Sequence, residues 1–461
     1  MKRAYQNCLY AVSCTCLALL AGCGDDYEEP QEPAAGAWSK ALGSNDNYGG
    51  PQAGAISVSP AGNLIITGTF NETIDLGGGA INASAQPNFF VAKYSASGEA
   101  IWSARGGGGD DNVAAVNMDT AGNAILSGSF NGKVDLGSGE LTGGNDVFLA
   151  RFGPSGEPLW SKSYGVSEEF DSIASSAMGA DGSIYLTGRA GGSLDLGGGA
   201  LAPGQWQTMF VGKLDASGKS VWARAFSTVN YIDSRKIAVD GAGNTFVMGS
   251  FSGDVDLGGG SLGDFNSYGY FVVKFDTSGK FAWSRGYAPE NGGLYMVDIA
   301  ADSDGNAIVV GQMSETVDFG GGPLTGSGFN DLFVLKLGAD GSHRFSKRFG
   351  AADSYQQATG IGADSNNNIF VAGTFEQSVN FGDGALQSQG GSDIFLAQFD
   401  ASGKAIKSRR FGGSDWESLR SMAVDPWGNT ILYGMYNGTI DFGTGALNSD
   451  TGARLFLARI K

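Results

Sequence analysis

Histidine occurs once in this chain, at His343, and all four cysteines fall within the first 23 residues, at Cys8, Cys14, Cys16 and Cys23. A His-rich metal centre or a Ser-His-Asp relay would have to be built around one side chain in the phrase DGSHRF. The body of the protein offers neither a disulfide framework nor a thiol nucleophile. Positive charge is also sparse. The 29 Lys and Arg stand against 47 Asp and Glu, a formal net charge of −18 with no basic stripe, which excludes nucleic acid as a partner. An acidic surface favours solubility and cation attraction over binding to anionic lipid or polysaccharide. Apparent catalytic motifs dissolve on inspection. The GGSLG around Ser261 is a chance match in a chain with 77 glycines. SGKS at 217–220 has Lys213 where a phosphate loop needs its leading glycine, and DSDGN at 302–306 has Met313 where a calcium loop needs a bidentate Glu.

What the chain has in abundance is itself. The acid of a DLGGG-like phrase recurs at Asp75, Asp135, Asp195, Asp256, Asp318, Asn380 and Asp441, 60 to 62 residues apart. A second ruler agrees: the glycine after the preceding apolar run stands at Gly68, Gly128, Gly188, Gly249, Gly311, Gly373 and Gly434. Such self-similarity marks a solenoid, propeller or array whose units cannot bury their faces alone. Each unit reads as four short strands and no helix; in the first they are Ala55–Ser59, Asn63–Phe70, Phe89–Tyr94 and Ala100–Arg105. Gly-Asn pairs such as Gly62-Asn63 and Gly122-Asn123 close the first hairpin, and ASG-like turns with Gly98, Gly156, Gly218, Gly279, Gly341 and Gly403 close the second. Middle strands such as LIITGTF and FFVAKY are apolar on both faces, as blades packed between two neighbours require.

The spacing therefore predicts an all-β, seven-bladed β-propeller of four-stranded antiparallel blades over residues 37–461. Its closure can be read from the two ends. AWSKAL at 37–42 matches the fourth strand of the other units, while the last unit stops at its third strand, LFLARIK. The amino-terminal strand should complete the last blade and leave no open edge. Among fourth strands the Trp gives way to Phe345 and Lys407 in the fifth and sixth units. A basic residue recurs in the third strand at Lys93, Arg151, Lys213, Lys274, Lys336 and Arg459, with Gln398 in the sixth unit; a group present in nearly every blade is expected to tie blades together, against a repeated acid. The repeated DLGGG aspartates receive the same structural reading, with calcium binding as the alternative and no other cofactor implied.

The phrases AVDGAGNTFVMGSFSGDVDLGGGSL and GGSDIFLAQFDASGKAIKSRRFG resemble the bacterial β-propeller repeats known as SBBP, found in secreted and surface proteins of myxobacteria and similar bacteria. The resemblance implies the fold and no particular reaction.

The front of the chain has its own logic. Lys2 and Arg3 precede the apolar stretch LYAVSCTCLALL at 9–20, too short to span a bilayer and shaped like a secretory signal, and it ends in Leu20-Ala21-Gly22-Cys23. That ending resembles a lipobox, which implies a signal peptide over 1–22 and acylation of Cys23. The acidic Pro-containing stretch GDDYEEPQEPAAGA at 24–37 reads as a flexible tether, so that 23–36 is the lipidated cysteine and its tether ahead of the propeller. The address expected is the cell envelope, lipid-anchored, and the outer membrane because Gly24 follows the cysteine in place of a retention aspartate.

Function is expected where the units differ. The links from one unit's fourth strand to the next unit's first vary, and the candidate ligand-binding residues there are Asp46, Tyr48, Asp111, Glu169, Tyr231, Arg235, Tyr295, Tyr355, Asp415, Trp416 and Arg420. Aromatic, carboxylate and basic groups ringed around an opening suit a protein or glycan ligand bound by a monomeric, non-enzymatic scaffold on a membrane. The competing reading is an envelope polysaccharide hydrolase or lyase using loop carboxylates, which needs two acids about 5 to 10 Å apart in one pocket.

Overall fold

A computed structural model describes residues 32, 35–43, 51–83, 88–107, 112–165, 170–201, 207–263, 265–289, 293–327, 330–351, 354–449 and 452–461. Seven four-stranded antiparallel sheets repeat along the chain. In the first, Gln52–Val58, Leu64–Phe70, Asn88–Tyr94 and Ala100–Gly106 pair in that order, so the innermost strand begins three residues earlier than expected. The first strands of all seven sheets touch in cyclic order, Gln52–Val58 meeting Asn112–Met118 on one side and Glu417–Val424 on the other. This ring of inner strands makes the fold a closed propeller.

Closure uses the first strand of the chain. Trp38–Leu42 lies antiparallel against Arg454–Ile460, with Trp38 opposite Arg459 and Leu42 opposite Leu455. Middle strands are buried throughout, as their unbroken apolar runs required: Ala307–Met313 and Asp331–Leu337 are buried at every position. Their side chains interlock between adjacent blades. One buried cluster joins Leu64, Ile66 and Phe90 of the first blade to Ile431, Tyr433 and Leu457 of the last.

The repeated basic residues do tie blades together. Arg151 reaches Asp119 at 2.6 Å, Lys336 reaches Asp302 at 2.8 Å, and Arg459 reaches Asp425 at 3.1 Å with both side chains fully buried. Each then donates to a turn carbonyl of the next blade: Arg151 to Ala216, Lys336 to Ala401, and Arg459, across the closure, to Ala96. The fourth-strand Trp grips the same turns. Trp38 Nε1 donates to Ala96 O at 2.9 Å and Trp283 Nε1 to Ala339 O at 2.9 Å. Its ring lies where a Cβ on the turn glycine would stand, 2.8 Å away at Gly98 and 2.7 Å at Gly341, and these glycines have φ of 80° and 78°. Only glycine allows both the turn and the ring.

The exceptions in the sixth blade follow from closure. The seventh blade has no turn between its third and fourth strands, because these are the two ends of the propeller chain. Gln398 and Lys407 stand where a base and a Trp would have nothing to grip. Arg409 instead donates to the Lys461 carbonyl at 2.7 Å.

Two features were not foreseen. Each innermost strand carries a bulge against its partner, at Ser234/Lys236 in the fourth blade and Leu419/Ser421 in the seventh, so that Arg235 and Arg420 are the extra residues. In four blades the DLGGG-like phrase forms a small hairpin of its own in the link between second and third strands, such as Thr73–Asp75 with Ala80–Asn82. Among the described residues there is no helix.

Candidate functional site

Alternating strand direction gives the disc two chemically different faces. The hairpins after first and third strands form a turn face; the links into each new blade, and the starts of the links between second and third strands, form a loop face. The closing strand starts at the turn face, where Trp38 meets Ala96.

Of the predicted ligand residues, Tyr231, Arg235 and Tyr295 come together on the loop face of the fourth and fifth blades. Arg235 Nη1 donates to the Tyr295 hydroxyl at 2.6 Å, and the guanidinium lies 4.5 Å from the Tyr295 ring centre and 5.7 Å from that of Tyr270. Tyr231 meets Tyr268 edge to face at 5.5 Å and donates to Asp233 at 3.3 Å. Burial raises the Asp233 carboxyl above the ordinary carboxylate range, opposed by the hydrogen bond from Tyr231 and the charges of Arg235 and Arg189. The bulge explains this meeting: the residue it adds to the inner strand is the arginine that the tyrosines enclose.

Tyr355, Asp415 and Trp416 stand apart, at the starts of the sixth and seventh blades. Arg420 lies at the loop-face mouth of the axis, in a cavity of about 200 Å³ lined also by Gln52, Thr69 and Asn112. Below it, a channel cavity of about 180 Å³ is lined by all seven inner strands and holds Lys236 and Asp298. The Asp298 carboxylate accepts the Ile361 amide of the next blade at 3.0 Å, and burial raises its pKa, partly offset by the charge of Lys236. Asp46, Tyr48, Asp111, Glu169 and the expected acyl site Cys23 lie outside the described residues.

Sequence reading missed two exposed aromatics of the same face, Phe170 and Tyr268. The signal for Phe170 was available, because it stands 61 residues before Tyr231, at the equivalent place four residues ahead of the inner strand's bulge. Large apolar side chains exposed on the loop face are Phe170 at 59%, Val229, Tyr268 at 61%, Tyr295 at 46%, Tyr355 at 38% and Trp416 at 44%; the others among the described residues, Ile101, Leu159, Val221 and Ile406, are aliphatic and lie on outermost strands.

The remaining chemistry is structural. The repeated aspartates cap their own glycine turns: Asp75 accepts the Gly77 amide at 2.7 Å and Asp195 those of Gly197, Gly198 and Gly199. His343 opens a strand instead of sitting in a turn, its Nε2 3.1 Å from Ser346 Oγ. Ser261 Oγ donates to Asp254. A carboxyl pair does exist, Asp393 and Glu417, but both side chains are buried in the seam between the sixth and seventh blades. Burial pushes Glu417 up to about 7, reinforced by the nearby charges of Asp393 and Asp415 and opposed by the Gly413 amide and Arg410.

Residues 344–374 match the beta-propeller repeat model SBBP. The regulatory protein FlaEY of Caulobacter vibrioides is 24% identical over 384 residues, which is 76% of this chain and 39% of that protein. The chain thus spans about two fifths of the length of the curated relative it matches. Among solved structures, virginiamycin B lyase from Staphylococcus aureus aligns over 92% of this chain and 99% of its own at 10% identity and a TM-score of 0.45. A luciferin-regenerating enzyme aligns over 92% and 95% at 10% identity and a TM-score of 0.37.

Proposed function

We propose that this chain is a membrane-anchored surface lipoprotein whose propeller is a non-enzymatic scaffold that binds a protein or glycan on its loop face. One observation carries the binding half: among the described residues, every exposed aromatic side chain in the set of large exposed apolar residues stands on that face. Exposed apolar groups scattered singly need no explanation, but confinement of the aromatic ones to one side of a disc marks an interaction surface. The anchoring half is supported by the Leu20-Ala21-Gly22-Cys23 phrase that ends the apolar stretch at 9–20.

Labelling cells with an alkyne fatty acid tests the anchor. Label on the protein that disappears in Cys23→Ser supports acylation; equal label in both refutes it. Binding is tested separately on the soluble domain. A ligand whose affinity falls in Trp416→Ala and not in the outer-strand variant Ile406→Ala supports the loop face, and the reverse pattern refutes it. Turnover of polysaccharide by the purified domain would refute the non-enzymatic reading.

A further inference from the structure

The loop-face aromatics have an order that matters beyond their exposure. Phe170, Tyr231, Tyr355 and Trp416 each stand four residues before the extra residue of the inner strand's bulge, and Tyr295 stands two places later in the fifth blade. The third to seventh blades, five in succession, therefore each present one aromatic ring beside the start of the inner strand on the same face. Successive blades repeat by rotation about the axis, so the rings follow one another along an arc, with Tyr295 displaced by two residues. A single anchoring side chain of a protein partner would want a pocket instead. The described cavities nearest the axis are lined by other residues: that at the loop-face mouth holds Arg420, Gln52 and Asn112 but none of these five aromatics.

Resting on the reading of the loop face as the binding face, we infer that the arc is a platform for an uncharged polysaccharide chain, whose sugar rings stack on successive blades. Three observations select this occupant. Repeated platforms match a ligand that itself repeats. Aromatic faces take the C–H faces of pyranose rings, while phenols and adjacent polar groups meet the hydroxyls, as Tyr231, Asp233 and Arg235 are placed to do. Charge sets the class: Arg235 is already engaged by Tyr295 and Tyr270, and a chain with net charge −18 repels polyanions.

The test is calorimetric titration of the soluble domain with neutral β-linked oligosaccharides (gluco-, xylo-, manno- and N-acetylglucosamine series) of two to eight units, with polygalacturonate fragments as the anionic arm. Affinity for one neutral series should rise at least about tenfold from two to six units as further rings are engaged, because each added contact is intramolecular. Trp416→Ala and Phe170→Ala should each weaken the six-unit ligand about five- to twentyfold, the loss of one stacking contact, with Ile406→Ala unchanged and thermal melting unaltered in all three. Length-independent affinity, preference for the anionic arm, or neutral binding indifferent to both aromatic variants would overturn the inference. So would the absence of any oligosaccharide binding together with a purified protein ligand lost in Trp416→Ala, an outcome that leaves the loop face standing. If a ligand of either kind binds and no loop-face variant affects it, the face itself is wrong.

Discussion

Replacing Glu417 with Gln should make the propeller more stable at alkaline pH and leave it little changed in acid. Glu417 Oε2 and Asp393 Oδ1 are buried, each lies 2.6 Å from the point where a side chain on Gly412 would begin, and neither has a hydrogen-bond partner. Asp393 Oδ2 is held by Arg410 at 2.6 Å and by the Gln389 amide, while Glu417 Oε1 has only the Gly413 amide at 3.2 Å. Burial, then, weighs mainly on Glu417, whose pKa rises from an ordinary 4.5 to about 7. The folded state binds the proton more tightly than the unfolded one, so stability is fullest below pH 4.5 and falls as pH rises towards 7. At 1.36 kcal/mol per unit that shift corresponds to about 3 kcal/mol, and relaxation and water access reduce it to about 2. The fifth-to-sixth seam already carries the proposed solution, since Gln356 stands beside Asp331 around Gly350 as Glu417 stands beside Asp393 around Gly412. Urea unfolding of the parent and Glu417→Gln at pH 5, 6, 7 and 8 reads the difference free of other groups' titration. The variant's advantage should grow from about 0.5 kcal/mol at pH 5 to about 2 kcal/mol at pH 8. A difference that stays flat across this range, or a variant weaker at pH 8, refutes the reasoning.

Two further perturbations probe the seams. Arg459→Met leaves the fully buried Asp425 without its cation and should cost about 3 to 5 kcal/mol in chemical denaturation, whereas the exposed Lys133–Glu140 pair removed as Lys133→Met should cost under about 1 kcal/mol; equal effects would contradict the inter-blade role of the third-strand base. Gly98→Ala meets both a positive φ and the Trp38 ring and should lose about 3 kcal/mol, while Gly79→Ala, with φ of 108° and open space, should lose about 1 to 2; a reversed order in melting would show that the ring does not sit on the turn.

Much of this was legible before any coordinates, and the reasons are local. A blade's strands are written in residues that tolerate burial on both faces and its turns in glycines with positive φ such as Gly98 and Gly341, while the second-strand glycines from Gly68 to Gly434 alone give the period and blade number. Closure was readable because Trp38 repeats the fourth-strand pattern at the wrong end of the chain. Gln398 and Lys407 were a second copy of that message, readable only once the missing seventh-blade turn is known to be what their counterparts hold. The bulges were not legible, since adding Arg235 or Arg420 changes no apolar pattern in a strand whose other residues vary. Tyr268 was hidden because its link departs from the other units in length and composition, and pairing with Tyr231 arises from the sheet's geometry, not from spacing. The repeated Asp119, Asp302 and Asp425 sit beside turn signals and read as turn residues; only burial reveals them as partners of the strand-three bases.

The division of the molecule into a turn face and a loop face depends on the first strand completing the last sheet. Cysteines placed by Ser39→Cys and Ala458→Cys test this directly, because the two positions are register partners and the soluble domain contains no native cysteine. Opposed residues of an antiparallel pair lie within disulfide reach. Mild oxidation should give a monomeric product with the peptides around 39 and 458 joined, and a melting temperature raised over the reduced form. Free thiols after oxidation, or joining only between separate molecules, would contradict the closed ring.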